Sequence, residues 1–102
     1  MGVTSAQRSV VLPDVPSIAE FVPGYEADGW YGIGVPRNVP AGIVDRLNRD
    51  INASLADAKL KTRLASLGYV TSGGSPAEFK NMIAHEIDKW ARVIKFAGIK
   101  PD

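Results

Sequence analysis

Cysteine is missing from this chain of 102 residues, which excludes disulfides, thiolate nucleophiles and thiolate-bound metals. Histidine is almost as scarce, with His85 alone. Asp45, Asp50 and Asp57 are spread along helical pattern with no histidine or cysteine at ligand spacing, so no metal site and no catalytic set is expected. An excess of one charge is lacking too. Twelve Lys and Arg against eleven Asp and Glu leave a net charge of +1, no field with which to gather nucleic acid or anionic lipid. No apolar run approaches the ~18 residues of a membrane span. The first residues carry neither a basic segment nor an apolar one, so any export signal is expected upstream of the sequence shown. What remains is 45% apolar, the composition of one folded domain with a modest core rather than a disordered tail.

Proline and glycine, by contrast, are concentrated. The run LPDVPSIAEFVPGYEADGWYGIGVP, residues 12–36, holds four of each together with Trp30, Tyr25 and Tyr31. Proline fixes φ and glycine permits positive φ, so the pair marks turns, whereas large aromatics mark packed surfaces. A connection that threads past packed elements and turns its backbone toward a ligand satisfies both. Within it Ser17-Ile18-Ala19-Glu20 offers one helical turn. Trp30, Tyr31, Ile33 and Val35 predict a short strand with Gly32 and Gly34 on its bare face, suited to close approach of another backbone.

Helical spacing begins after the Pro36–Pro40 turn. Ile43, Val44, Leu47, Ile51 and Leu55 predict an amphipathic helix from Pro40 to Leu55. Asp57 caps a second helix with Leu60, Leu64 and Leu67 on one stripe, and Gly68 fits the left-handed stop. Tyr69 to Ser72 reads as a second strand. Ser75-Pro76-Ala77-Glu78 has capping-box spacing with proline at the first helical position, and it opens a long helix. The inner face expected there is Phe79, Met82, Ile83, Ile87, Trp90 and Ile94, with Asp88 paired to Arg92 outside and Gly98 with Pro101 as the stop. His85 falls opposite that stripe, on the solvent side.

Few residues suggest chemistry. Gly32-Ile33-Gly34-Val35-Pro36-Arg37 starts like a phosphate-binding GxGxxG loop, but the third glycine is missing and a proline turn intervenes. Ser9, Ser17 and Ser75 are accounted for as turn or cap residues. A non-enzymatic protein without catalytic residues or cofactor is expected.

The combination RSVVLPDVPSIAE, PGYE, GWYG and the terminal AGIKP resembles the late part of the Bug family, the extracytoplasmic solute-binding receptors of tripartite tricarboxylate transporters. The similarity extends over residues 3–102. It implies an α/β fold: a helix-rich piece of a two-lobed periplasmic-binding-protein (type II-like) architecture, with about three helices and two or three short strands. Residues 1–28 would close the second lobe, with Met1-Gly2 a cloning remnant; residues 29–39 would be the hinge crossover and residues 40–102 the C-terminal part of the first lobe. The resemblance further implies periplasmic location, a small carboxylate ligand held largely through backbone N–H groups, hydroxyls and waters, and membrane transporter subunits as partners. Nucleic acid is not expected.

Matched residue by residue, Pro13, Asp14, Val15, Pro16 and Ser17 correspond to the family's PDVP(T/S) loop, where Asp14 and Ser17 would shape the cleft wall. Ordinary turn chemistry is the competing role: Asp14 bonding nearby amides, Ser17 capping the turn that follows. Val39 stands where a capping threonine is frequent, which removes a cap contact. As the last third of a receptor, the chain alone would not be ligand-competent and would form a homodimer, with residues 3–36 exchanged between copies. The alternative is a stand-alone helical module that binds a protein partner.

Overall fold

The structure is a computed structural model and describes residues 1–100. After a 3-10 turn, Ile18–Glu20, come three helices: α1, Ala41–Ala56; α2, Ala58–Ser66; and α3, Pro76–Ala97. Pro40 is the cap residue of α1 and forms no side-chain cap bond, as expected where no Ser or Thr precedes the helix. Asp57 ends α1 with its own N–H bonded to Ser54 O and opens α2 by accepting from Leu60 N at 2.9 Å. Ser75 and Glu78 form the reciprocal capping box of α3, and Gly68 and Gly98 take positive φ after α2 and α3. Pro101 lies outside the described residues.

Neither expected strand forms. Residues 30–35 and 69–72 carry no ladder, and the described residues hold only an isolated parallel bridge between Val3 and Ser17. β-propensity expresses how well a residue fits a paired, half-buried surface, and these segments find no partner strand among the described residues. The bare face of the crossover is nevertheless used. A Cβ built on Gly32 would overlap the Phe79 ring, and Trp30 meets that ring edge-on at 5.6 Å between centroids. A side chain, rather than another backbone, makes the close approach.

The helix faces are rotated from those expected. On α1 the half-buried residues are Val44, Asn48, Ile51, Asn52 and Leu55, while Ile43 and Leu47 lie exposed. Two asparagines displace two aliphatics because both hold the Gly74 carbonyl through Nδ2 at 2.9 Å, and Gly74 N returns a bond to Asn52 Oδ1. On α3 the inward side is Phe79, Met82, Ile83, Glu86 and Lys89; Ile87, Trp90 and Ile94 are exposed, as is His85. Trp90 stays at the surface because its indole N–H donates to Glu86 Oε2 at 2.8 Å and Lys89 Nζ lies 5.4 Å from its ring centroid. Arg92 reaches the backbone carbonyl of Asp88 instead of its carboxylate.

The modest core does not appear either: no apolar residue is buried, and Ser17 is the one fully buried side chain among the described residues. The radius of gyration, 16.7 Å, exceeds the about 13 Å of a compact domain this long. Gly32→Ala is expected to destabilise by about 1–3 kcal/mol in urea unfolding, since the added methyl must displace the Phe79 ring. Phe79→Ala in the same chain should remove that increment, giving strong coupling in a double-mutant cycle.

Candidate functional site

The Pro13–Ser17 loop is built from the bottom by hydrogen bonds that close over short distances. Ser9 O receives Leu12 N at 3.1 Å, and Leu12 O receives Val15 N at 3.1 Å, so the chain turns once before the loop and again within it, with Pro13 and Asp14 at the centre of the second turn. Residues 3–5 then run beside residues 16–18: Val3 N donates to Pro16 O at 2.9 Å, and Ile18 N donates to Val3 O at 3.0 Å. Thr4 O also accepts Ala27 N at 3.0 Å, which ties the far end of the Pro-rich run to the same short segment.

Ser17 lies at the centre of this arrangement. It is 1% exposed; its hydroxyl donates to Ser5 O and accepts from Ala19 N at 3.1 Å. Its backbone N–H donates to Glu20 Oε1 at 3.0 Å, completing a capping box on the short turn. Donor and acceptor capacity of Ser17 are thus committed within the chain. The five matched residues do come together, but on two sides: Pro13 and Asp14 are exposed, Val15 and Pro16 half-buried, Ser17 enclosed. Asp14 forms no backbone bond through its N–H and no ion pair through its carboxylate among the described residues. The Ser17 hydroxyl thus caps the turn that follows, whereas Asp14 sits at the centre of the Leu12–Val15 turn and its side chain makes no hydrogen bond among the described residues.

Two residues of this site, the first and last of the RSVVLPDVPSIAE run, received no role from the sequence. Arg8 grips Glu20 with a two-point fork, Nε to Oε1 at 2.7 Å and Nη2 to Oε2 at 2.8 Å, and its Nη1 donates to Pro13 O at 3.3 Å. The hydrogen bond from Arg8, then that from the Ser17 amide, lowers the Glu20 carboxyl to about 2. Ser17 and Glu20 have the same S-x-x-E spacing as Ser75 and Glu78, so a legible signal for the box existed. Arg8 opens that run, but nothing local pairs it with Glu20, twelve residues away.

Two open hollows border these elements. One, about 410 Å³, is lined by Met1, Gly2, Pro16, Ser17, Ile18 and Phe21, where the one polar side chain is the committed Ser17. The other, about 310 Å³, lies against the Gly73-Gly74 turn and takes Asn52, Lys61 and Thr71 into its lining. No group of three or more potential metal ligands occurs among the described residues, and no described helix is long and apolar enough to cross a membrane.

Comparison with known proteins gives this geometry a setting. The family model of the tripartite tricarboxylate transporter family receptor matches residues 1–99. Among curated relatives, the UPF0065 protein in the tcbD-tcbE intergenic region of Pseudomonas sp. (strain P51) is 38% identical over 96 residues, covering 92% of this chain and 29% of the relative. Protein BugT of Bordetella pertussis is 31% identical over 101 residues, covering 98% of this chain and 31% of BugT. In the structure of the periplasmic binding protein BugD, a region 32% identical superposes with a TM-score of 0.82, covering 99% of this chain and 35% of BugD. The chain thus spans about a third of the length of these proteins, and the periplasmic-binding-protein fold is shared across nearly all of it.

Ser17→Ala is expected to destabilise by about 1–2 kcal/mol, because the Ser5 carbonyl and the Ala19 amide lose their common partner in an enclosed position. Ser17→Thr, which keeps the hydroxyl, should cost less. Urea unfolding of both variants checks the difference.

Proposed function

The chain belongs to the tripartite tricarboxylate transporter receptor family, and from that premise we propose that it forms part of a periplasmic receptor that captures a small carboxylate for membrane transporter subunits. The observation that carries this reading is the superposition on BugD over 99% of the chain, joined to the family match over residues 1–99. Residues 1–28 close the second lobe, residues 29–39 cross the hinge, and residues 40–102 complete the first lobe. The tie between Gly32 on the crossover and Phe79 on α3 fits that division, since it joins the second segment to the third.

Ligand contact falls to the exposed end of the Pro13–Ser17 loop. The Asp14 N–H is the free donor there for a ligand carboxylate. Beside it the Asp14 carboxylate offers acceptors only. The loop therefore favours a carboxylate that also carries a hydroxyl or ammonium donor, such as citrate or malate, over succinate. Val15 and Pro16 support the loop from within, and Ser17 holds its base.

Alone, the chain is not ligand-competent and self-associates. Large apolar side chains are left open along its whole length, including Tyr31 at 85%, Ile33 at 69%, Ile87 at 63% and Phe96 at 93% exposure. A surface this apolar is normally covered by polypeptide. Without the rest of a receptor, a second copy covers it, through exchange of residues 3–36. Light scattering at micromolar concentration should give the dimer mass, and titration calorimetry with citrate should give no micromolar binding. A monomer would remove the self-association, and a micromolar citrate complex would remove the ligand incompetence.

A further inference from the structure

The geometry points to Arg8 as the positioning residue of the Pro13–Ser17 loop: its guanidinium holds the loop at both ends and leaves Asp14 presented between them. The inference rests on the reading that this loop meets the ligand. At the first end Arg8 Nη1 donates to Pro13 O at 3.3 Å. At the other, Nε and Nη2 engage both oxygens of Glu20 at 2.7 and 2.8 Å, and Glu20 Oε1 in turn receives Ser17 N at 3.0 Å. One planar cation thereby fixes the carbonyl just before Asp14 directly and the amide three residues beyond it through a carboxylate.

Geometry favours arginine over lysine for this task. The fork matches the two carboxylate oxygens and still has a further N–H for Pro13, whereas an ammonium is a point charge with no fixed directions. The pair is open to solvent, with Arg8 49% and Glu20 39% exposed in their side chains, so its weight in global stability is small. Its consequence is directional. The Asp14 N–H, at the centre of the Leu12–Val15 turn, has no internal partner among the described residues, and the bonds fixed by Arg8 flank it on both sides. The remaining charged groups of residues 1–28, the amine of Met1, Asp14, Glu26 and Asp28, form no ion pair with either residue among the described residues.

Backbone-amide NMR of the full chain tests the assignment in two readings. The first is the Ser17 amide shift against pH, which follows protonation of Glu20. Folded Glu20 titrates near 2, below the ordinary ~4.3 of an unpaired glutamate, so the contact is fully present above that range and is lost as pH falls through the folded value. Arg8→Ala should raise the midpoint by at least ~1 unit, with Arg8→Lys between the two. Glu20→Gln, which keeps an acceptor for Ser17 N, should abolish the titration. The second reading is the shift of the Asp14 amide on adding millimolar citrate, a concentration that reveals contacts too weak for calorimetry. The parent chain should respond at Asp14, and Arg8→Ala and Glu20→Gln should each reduce that response several-fold. An unchanged Ser17 midpoint in Arg8→Ala, or an undiminished citrate response at Asp14, overturns the positioning role. A parent chain whose Asp14 amide ignores citrate overturns the ligand-loop reading instead, while the Ser17 titration still decides whether Arg8 clamps the loop.

Discussion

Backbone groups that find partners only a few residues away hold this chain in shape, because no apolar side chain among the described residues is buried enough to do so. Apart from the uncapped start of α1 at Pro40, helix ends and turns close locally: Asp57 on Leu60, Ser75 with Glu78, Ser17 with Glu20, Ser9 with Leu12. Such bonds fix direction well and stabilise weakly, at about 1 kcal/mol each. Hydrophobic burial, which normally supplies most of the favourable term, stays partial throughout. The chain consequently has well-formed elements and few long-range ties. Those it has are specific, among them Phe79 over Gly32, the two asparagines on Gly74, Arg8 on Glu20 and Val3 beside Ser17.

This balance explains which features could be read from residues alone. Caps and stops were legible because their physics is local. The Ser75–Glu78 box, Asp57, Gly68 and Gly98 all stand where their spacing places them, and the helices begin and end within about a residue of expectation. Faces and strands were not. A strand needs a partner, and Trp30 to Val35 has none among the described residues. A helix turns its apolar stripe only toward what is packed against it, so Asn48 and Asn52 face inward to meet Gly74 while Leu47 is left outside. The conflict between amphipathic pattern and observed exposure is greatest on α3, where Ile87 and Ile94 keep the spacing of a buried seam without a surface to meet.

The candidate site divides along the same line. The PDVPS stretch was visible as a motif, and the proline-bounded turn is where the motif puts it. Its internal division between an enclosed Ser17 and an outward Asp14 was not visible, because it depends on Ser5 and Ala19 closing over the hydroxyl. Arg8 stood in the quoted motif, but its role was not legible. An arginine shows no partner until the carboxylate it grips has been brought beside it, here across the whole turn from Ser9 to Ser17. Which backbone groups such a loop leaves open is a property of the scaffold around it more than of its own residues.

The corner between α1 and α2 carries a similar economy. Asp57 terminates one helix and starts the next, so a single residue separates them. Its extended backbone, φ −63° and ψ 128°, breaks the helical path there. Those two dihedrals set the direction in which α2 leaves α1, and with it the side to which Leu60 and Leu64, both half-buried, are turned. The joint is thus a one-residue elbow, in which the bend of the chain and the start of the next helix are fixed by the same side chain.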